Sequence, residues 1–546
     1  METLQHNLER LGDFGRYQKF QHGLHLLCWL TGGIHFMSFL FVFPSLEHRC
    51  FVNGIDDNEY LINNNSLEAA TEGLLDNYIP VNDSSCSMYA NGSESSVIIP
   101  CENGYIYSSE YFQSSRVTNW DMVCEREWMR AFIQSMFMFG TVLGALITGL
   151  LADKYGRKPV TCVSGVAQLV FGFISVYIPS FLGLSLCMFL YGAFGVAGAM
   201  VPTVSLTMEI VGASRRQLCG ILFASAFSLG SILVCIWAWF LPQSATQLQL
   251  IFALHSVLLL GHFWIMDESI CWLWTVGQKS KALELVQKAA RWNGTRNDEI
   301  ELLPLKSLDE NDPMVYWEKG NDPIMMRKQR SYGLFDIFRY PEIRRRSLTM
   351  FYICFGGGSM YNGLIYNSVN LFENPYLVFI INFLAEIPGN ILVIWLAPKF
   401  GNKKMLIYTF LSSGLLSIVL AFSTVDIVNI ILSFVVKILT TMAINTVTTF
   451  AAELFPTVVR NTALGFCMMS SRLGITWIQK IILVGKSFVP TLNIFFGVFG
   501  LSASLLVCLL IPETMNRPMP QTIGEVEVHG KQRKESYIRF LLCCHY

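Results

Sequence analysis

Charge is the property that this sequence has least of. Only 14% of its 546 residues are Asp, Glu, Lys or Arg, whereas 52% are hydrophobic, and the mean hydropathy is +0.43. Soluble domains carry about a quarter charged residues, so this composition excludes an ordinary soluble protein. The formal net charge of −1 provides no strong field of one sign, so we expect no nucleic-acid partner.

Signatures of catalysis and of metal binding are also missing. The sequence contains no phosphate-binding loop of the Walker type, no His-Glu-x-x-His stretch and no Cys-x-x-Cys pair. ATP-driven transport is therefore disfavoured, and we expect no enzymatic activity, no metal and no cofactor. A sodium ion, a proton or a counter-anion stays open as a coupling ion.

Long apolar runs, in contrast, recur along the whole chain. Twelve runs of about 20 residues predict membrane-spanning helices, since a helix of that length crosses a bilayer. The predicted spans are 21–43, 130–151, 160–178, 182–208, 218–241, 248–266, 347–368, 376–397, 404–423, 427–451, 461–484 and 488–511. Because the first 20 residues are polar and the first run is long enough to remain as a span, we expect no cleavable signal.

These runs divide the chain into seven segments. They are an N-terminal segment (1–20), the first span (21–43), a polar loop (44–129), spans two to six (130–266), a charged central loop (267–346), spans seven to twelve (347–511) and a tail (512–546). Basic residues cluster in the short loops after spans two, four, eight and ten, and Lys486 is an exception on the other side. Since Lys and Arg in short loops prefer the cytoplasm, we predict that both termini are cytoplasmic.

The first loop has the composition of an extracellular segment. It contains four cysteines and three Asn-x-Ser sequons: Cys50, Cys86, Cys101 and Cys124, and Asn64, Asn82 and Asn91. Cysteines and sequons in one polar stretch are typical of an oxidising, glycosylated environment. Four cysteines allow three pairings, among which the sequence does not choose. Another sequon, at Asn293, lies in the loop predicted to be cytoplasmic, so we expect it to be unmodified.

An internal repeat relates the two halves of the chain. Leu151-Ala-Asp-Lys-Tyr-Gly-Arg-Lys158 and Leu396-Ala-Pro-Lys-Phe-Gly-Asn-Lys403 agree at five of eight positions, at an offset of 245 residues. A Glu and an Arg seven residues apart also recur, at an offset of 244: Glu209 and Arg216, then Glu453 and Arg460. Parallel repeats of this kind place a substrate site between the halves, near the middle of the membrane.

Several stretches of the chain resemble one transporter family. Gly149-Leu-Leu-Ala-Asp-Lys-Tyr-Gly-Arg-Lys158 resembles the signature between spans two and three of the major facilitator superfamily. Four others resemble the organic cation, organic anion and carnitine transporters of solute carrier family 22: Gly12-Asp-Phe-Gly-Arg-Tyr-Gln18, Asn119-Trp-Asp-Met-Val-Cys124, Ala452-Glu-Leu-Phe-Pro-Thr-Val-Val-Arg-Asn461 and Pro512-Glu-Thr-Met-Asn-Arg-Pro-Met-Pro-Gln-Thr522. The resemblance implies an all-α membrane protein with the major facilitator fold, in which twelve transmembrane helices form two pseudo-symmetric six-helix halves.

Two features depart from the family pattern. The family usually has Pro-Glu-Ser-Pro-Arg-Trp-Leu after span six, where this chain has Asp267-Glu-Ser-Ile-Cys-Trp-Leu273. The first loop also has fewer cysteines than the family usually shows. These differences bear on regulation and on loop architecture more than on transport, and they suggest a divergent member with a narrow substrate range.

The resemblance implies a gate at the cytoplasmic helix ends. Its charged residues are Asp153, Arg157, Glu209 and Arg216 in the first half, and Glu453 and Arg460 in the second. Opposite charges there can bridge helices while the inner side is closed and separate when it opens. The alternative is that they are solvated charges that only set the topology.

Arg472 stands inside span eleven, in Met468-Met-Ser-Ser-Arg-Leu-Gly-Ile475. A cation at the centre of a span costs about 2.5–3.5 kcal/mol, so it should face a cavity or a partner. The corresponding position resembles the arginine of organic anion and carnitine carriers, which implies recognition of a substrate carboxylate by the forked guanidinium. The alternative is a structural arginine paired with a neighbouring helix.

Glu386 lies in span eight, beside Pro388 and Gly389, which can loosen the helix where it lines a cavity. The resemblance to cation and carnitine carriers implies that this acid meets a cationic substrate group, a proton or a sodium ion. The alternative is an interhelical salt bridge, for which Arg472 is one candidate partner. One buried acid and one buried base suit a carnitine-like zwitterion, provided that the two do not merely pair with each other.

Four polar or aromatic residues complete the candidate substrate site. They are Tyr361 and Asn362 in span seven, Asn445 in span ten and Trp237 in span five. Aromatic faces can hold an ammonium group by cation–π attraction, although packing against lipid or other helices is the alternative.

The sequence therefore predicts a secondary-active or facilitative transporter of the plasma membrane that works by alternating access. Its partners are the lipid bilayer and a small organic ion: a carnitine-like zwitterion, an organic cation or an organic anion. A monomer can carry out this mechanism. The alternative is a receptor or sensor that uses the same scaffold without transport, which saturable uptake would distinguish.

Overall fold

The protein is described by a computed structural model that covers its helical bundle and parts of its loops. The described residues are 12–44, 48–52, 85–89, 97–101, 103–107, 115–241, 245–294, 315–316, 324–325, 335–368, 375–423, 425–484, 489–515, 520 and 522–528. The three predicted glycosylation sites, Asn64, Asn82 and Asn91, lie outside these residues.

Six long helices form the first half. They are α1 (Arg16–Val42), α2 (Glu127–Tyr155), α3 (Arg157–Tyr177), α4 (Phe181–Ile210), α5 (Arg216–Phe240) and α6 (Ala245–Ile265). α4 contains a wide π turn at Tyr191–Val196, and α6 tightens into a 3₁₀ turn at Ser256–Gly261. Apolar runs of this length form helices because a bilayer offers no partner to backbone N–H and C=O groups.

Six long helices form the second half. They are α7 (Pro341–Ser368), α8 in two pieces (Pro375–Leu384 and Glu386–Phe400), α9 (Asn402–Phe422), α10 (Asp426–Leu454), α11 (Arg460–Val484) and α12 (Val489–Leu510). Among the described residues, ten helices are long and apolar enough to cross a membrane. α7 and α11 are less apolar than the others, so the count of twelve spans stays a prediction with which the structure is consistent.

Two disulfide bonds organise the described part of the first loop. They join Cys50 to Cys101 and Cys86 to Cys124, which is one of the three pairings that the sequence left open. Two antiparallel strand pairs accompany them: β1 (His48–Cys50) with β4 (Tyr105–Tyr107), and β2 (Ser87–Tyr89) with β3 (Ile98–Pro100). A short helix, Arg116–Trp120, leads into α2, and its first turn is capped by the Ser115 hydroxyl. One further pair, β5 (Val315–Tyr316) with β6 (Ile324–Met325), lies in the central loop.

The helix Lys279–Asn293 of the central loop packs against the start of α1. Asp267 accepts hydrogen bonds from Tyr17 and Gln21, at 3.1 and 3.0 Å, and pairs with Lys288 at 2.7 Å. The Asn293 side chain accepts from the N–H of Tyr17 at 3.0 Å. Asp267 therefore holds this helix in place at the position where the family usually has a proline.

The repeated sequence segments adopt the same turn in both halves. Gly156 joins α2 to α3 with φ of 107°, and Gly401 joins α8 to α9 with φ of 82°. Both values lie in the left-handed region, where a side chain is strained, so glycine suits both positions. The repeat visible in the sequence is thus a repeat of structure.

The two halves approach most closely where α2 crosses α11. A Cβ atom added to Gly149 would lie 2.7 Å from the carbonyl oxygen of Asn461, and one added to Gly465 would overlap the carbonyl oxygen of Ala145. Only glycine lets the two backbones come this close, as small residues do at many membrane helix interfaces.

Candidate functional site: a charged site between two gates

Three charged side chains lie near the middle of their helices, all in the second half: Glu386 in α8, Lys437 in α10 and Arg472 in α11. In the other described helices, the Asp, Glu, Lys and Arg residues lie in the first or last two turns. Charges at this depth are expensive and mark functional sites in membrane proteins. We therefore take these three residues as the centre of the candidate site.

The Glu386 carboxylate is fully engaged. One oxygen accepts a hydrogen bond from the Tyr361 hydroxyl and lies 3.2 Å from Lys437 Nζ, and the other accepts from the Ser228 hydroxyl. The side chains of Glu386 and Lys437 are each only 3% exposed. An interhelical salt bridge at Glu386, which the sequence left open, is therefore present, but its partner is Lys437 rather than Arg472.

Lys437 was missed by the sequence reasoning. Its Nζ lies over the ring of Tyr361, 3.6 Å from the centroid, in addition to pairing with Glu386. The signal was available, because Lys437 is the one charged residue in the apolar run 427–451. The same argument that singled out Arg472, a cation at membrane depth, applies equally to Lys437.

The Arg472 guanidinium has an aromatic neighbour instead of a carboxylate. Its central carbon lies 4.2 Å from the ring centroid of Phe36 in α1, and Tyr361 is close enough to interact with it electrostatically. Among the described residues, no Asp or Glu forms an ion pair with it. Phe36 and Asn362 line an adjacent small pocket between α1, α2 and α7.

The remaining candidates divide into two groups. Asn445 donates to the side chain of Asn390, which in turn donates to Ser225 at 3.0 Å, one helical turn from the Glu386 contacts. Trp237 lies apart from them, because its ring packs against His255 at 6.2 Å within the first half. The structure thus brings Tyr361, Asn362 and Asn445 to the site and leaves Trp237 outside it.

At the predicted cytoplasmic end, one carboxylate joins the two halves. Glu209 of α4 lies 3.4 Å from Arg157 of the first half and 3.1 Å from Arg460 of the second. It also accepts a hydrogen bond from Ser269. Removing one partner from a buried ion pair costs about 3–5 kcal/mol, so the loss of either arginine would leave Glu209 as a costly unpaired charge.

Asp153 makes a second contact between the halves. Its carboxylate accepts from Asn461 at 2.7 Å, and from the N–H and the hydroxyl of Thr462 at 3.0 and 2.9 Å. Asn461 and Thr462 begin α11, where free N–H groups and the helix dipole favour a negative charge. A carboxylate of the first half therefore caps a helix of the second.

Glu453 of α10 is the counterpart of Glu209 in the second half. It accepts from Asn402 at 3.0 Å and from Thr514 at 2.9 Å, and Arg216 of α5 is its electrostatic neighbour across the halves. All six predicted gate residues thus lie in one layer at this end of the bundle. Their role as a gate stays a prediction.

Two further acids of this layer were missed by the sequence reasoning. Glu268 accepts from the N–H groups of Arg157 and Lys158, both at 3.1 Å, and Glu513 lies beside Gly401. Glu268 and Glu513 are 245 residues apart, the offset already seen in the repeat, so the sequence could have revealed them. Burial raises the pKa of Glu268, while the hydrogen bond from Ser269 N–H and the charge of Arg157 act in the opposite direction.

Aromatic rings join the halves at the opposite end. Phe41 of α1 stacks on Tyr376 with 5.7 Å between centroids and meets Phe379 edge-on at 5.5 Å. Trp239 of α5 meets Tyr376 edge-on at 5.7 Å. The charged site therefore lies between two layers of contacts, each of which links the first half to the second.

Known proteins similar to this chain are transporters. The chain matches the Major Facilitator Superfamily over residues 109–478. It is 32% identical over 539 residues to the organic cation transporter protein of Drosophila melanogaster, covering 96% of this chain and 94% of the relative. Identity is 29% to human solute carrier family 22 member 13 (95% and 92% covered) and 28% to member 16 from Bos taurus (96% and 94%).

Solved structures give the same fold. A double-tryptophan mutant of the E. coli xylose transporter XylE is 16% identical with a TM-score of 0.61, covering 94% of this chain and 99% of XylE. The human organic anion transporter MFSD10 is 15% identical with a TM-score of 0.53, covering 90% and 99%. The chain therefore belongs to the major facilitator superfamily and, within it, to solute carrier family 22. The predicted fold class is confirmed.

Proposed function

We propose that this protein carries small organic ions across the plasma membrane by alternating access, with both termini in the cytoplasm. The observation that carries the proposal is Arg472, a cation at mid-helix with no carboxylate partner among the described residues. It lies between two layers of contacts that join the halves. A site between two such layers can open to one side of the membrane at a time.

In this proposal Arg472 binds an anionic group of the substrate. A guanidinium offers a planar fork of donors that matches a carboxylate in two parallel hydrogen bonds. Phe36 lies beneath the guanidinium and orients it. The substrate is then an organic anion or a carnitine-like zwitterion, because an organic cation would approach Arg472 against its charge.

Alternating access requires the contacts at each end to separate in turn. At the predicted cytoplasmic end, the contacts from Glu209 to Arg460 and from Asp153 to Thr462 would break as the halves rock apart. Two-state rocking of packed halves is the usual form of such transitions. A sodium ion, a proton or a counter-anion would supply the driving force if transport is coupled.

Transport has more support than the receptor alternative. The relatives named above are transporters, and charged residues of each half interact with the other half, Glu209 with Arg460 and Arg216 with Glu453. No observation favours a receptor or sensor over a transporter.

Uptake of labelled probes tests the proposal directly. Cells expressing the chain are given a quaternary amine, a carboxylate and carnitine, each over a range of concentrations. We expect saturable uptake of the carboxylate or of carnitine, and its loss in Arg472→Ala at equal surface level. Arg126→Ala, at an exposed site outside the bundle core, is the matched control and should transport normally. Binding without accumulation of any probe would instead support a receptor.

A further inference from the structure

We infer that Lys437 is a counter-ion built into the protein: its ammonium group takes the place of a monovalent metal cation at Glu386, so that transport needs no sodium ion. The inference rests on the proposed function and adds to it the source of the cation that a buried carboxylate requires. It concerns how transport is driven and holds for a substrate of any charge.

Glu386 has the surroundings of a site for a small cation. Its two oxygens accept hydrogen bonds from the hydroxyl groups of Tyr361 and Ser228, so oxygen atoms from α5, α7 and α8 converge on one point. Each hydroxyl donates its proton to the carboxylate and keeps lone pairs that could face a cation. Oxygen ligands, carboxylate oxygens above all, suit hard metal cations.

A cation must accompany Glu386 because this part of the bundle is closed to water. The side chain is 3% exposed, and an ionised carboxylate away from water is costly unless an opposite charge is paired with it. Among the described residues, Glu386 is the one acid near the middle of a helix. It is therefore also the group that would draw a sodium ion to the middle of the membrane.

Lys437 already supplies the cation. Its Nζ lies 3.2 Å from the Glu386 carboxylate and 3.6 Å from the centroid of the Tyr361 ring, and its side chain is also 3% exposed. The face of a tyrosine ring attracts an ammonium group, as it would a small metal cation. A side chain fixed to α10 is present in every transport cycle and loses no translational freedom on binding, whereas a dissolved ion does. Lys437 therefore outcompetes sodium for this carboxylate.

The ion pair also moves as one unit. Glu386, Lys437 and Tyr361 all belong to the second half, on α8, α10 and α7, and Ser228 of α5 comes from the first. When the halves rock apart, the carboxylate and the ammonium group move together, and neither is released to the solution on either side. A coupling ion has to bind on one side and leave on the other, so the cation at this site does not drive transport.

Replacement of sodium tests the inference on the unmodified protein. Cells expressing the chain are given the quaternary amine, the carboxylate or carnitine, whichever shows saturable uptake, in sodium chloride and in N-methyl-D-glucamine chloride. The second cation is too large for the space that the ammonium group of Lys437 occupies. We expect equal initial rates in the two salts.

The outcomes separate the inference from the proposed function. A rate that falls by about tenfold or more without sodium would overturn the inference and leave the transporter proposal in place. If none of the three probes shows saturable uptake in either salt, the proposed function fails and the inference fails with it.

Lys437→Met should convert the site into one that needs a mobile cation. Methionine has nearly the length of lysine without its charge, so Glu386 becomes a buried carboxylate with room for a small ion beside it. In N-methyl-D-glucamine chloride we expect uptake by this variant to be slower than that of the unmodified protein by about tenfold or more. Uptake should then rise with sodium concentration until it saturates. A purely structural defect would lower the rate equally in both salts, and that result contradicts the inference.

Three further variants complete the comparison. Lys437→Arg keeps a cation beside Glu386 and should stay insensitive to sodium. Glu386→Gln combined with Lys437→Met leaves no carboxylate to attract the ion, so sodium dependence that persists in it would overturn the inference. Lys404→Met, at an exposed site, is the matched control and should behave like the unmodified protein. If Lys437→Met does not reach the cell surface, the response of the unmodified protein to sodium still decides.

Discussion

Arg472 and Lys437 are both cations near the middle of a helix, yet their surroundings differ. Lys437 is paired with Glu386 and stacked on Tyr361, which satisfies its charge within the protein. Arg472 rests on Phe36 and has no carboxylate partner among the described residues. At the scale of single residues, a charge is available to a ligand only where the fold has not already balanced it.

Asp153→Asn should slow transport while leaving surface expression intact. The carboxylate accepts three hydrogen bonds, one from Asn461 at one oxygen and two from Thr462 at the other, and an amide would keep one acceptor oxygen and present N–H donors at the other position. Hydrogen bonds to a charged group are worth about 1.5–3 kcal/mol each. We therefore expect a smaller fraction of the molecules to have the predicted cytoplasmic end closed, and uptake to fall by about tenfold. Initial uptake rates at equal surface level provide the measurement.

Lys154→Gln is the control for Asp153→Asn. Lys154 is adjacent in sequence but exposed, so its replacement should change uptake little. An undiminished uptake rate in Asp153→Asn would contradict the predicted gate role of this carboxylate.

Helix elements meet in this bundle by backbone contact as well as by side chains. α2 and α11 come from different halves and touch at Gly149 and Gly465, next to the Asp153 contacts. No side chain separates the two helices at these glycines. A single added methyl group would therefore push the two halves apart.

Gly465→Ala should impair transport through this helix contact. The added Cβ would overlap the carbonyl oxygen of Ala145, a backbone atom that cannot move without its helix. Overpacking of this kind costs about 1–3 kcal/mol. It would destabilise the state in which the two halves are in contact at this end. Uptake should therefore fall by about tenfold at equal surface level. Gly23→Ala in α1, where a Cβ has nothing within 4 Å, should be neutral, and equal rates in both variants would contradict the prediction.

The whole molecule combines a polar layer at one end with an aromatic layer at the other. Asp153, Glu209 and Arg460 join the halves at the first, and Phe41 and Tyr376 at the second. Alternating access requires that the two layers act separately, each controlling entry from its own side.

Thiol labelling from outside the cell should separate the two layers. Asn362→Cys places a thiol at the cavity lining, where a membrane-impermeant reagent reaches it only through the outer end. Phe41→Ala removes the ring that stacks on Tyr376, so we expect it to speed labelling about tenfold. Asp153→Asn should not speed it, because its contacts lie at the other end.

The labelling needs its own control. Among the described free cysteines most are buried, with Cys508 exposed and Cys271 partly so, and Phe41→Ala without Asn362→Cys reports their contribution. Faster labelling in both Phe41→Ala and Asp153→Asn would mean that neither layer is specific to one side.

The sequence alone was sufficient for the class of protein. It also predicts the number and order of the spans from the lengths of apolar runs, because the thickness of the bilayer sets those lengths, and the count of twelve stays a prediction. The two halves follow from the offset of 245 residues, and Gly156 and Gly401 adopt the same turn in the structure. Arg472 could be singled out because a charge at membrane depth is conspicuous against an apolar background.

Tertiary structure decided which charges pair and which remain available. Glu386, Lys437 and Arg472 lie on three different helices, and apolar runs do not reveal how each helix is rotated about its axis or which neighbour it faces. Packing sets that rotation, and it directed Glu386 toward Lys437 rather than toward Arg472 or a ligand. The disulfide pairing of Cys50 with Cys101 was likewise open until the loop was folded. Long-range partners depend on three-dimensional proximity, which a single sequence does not contain.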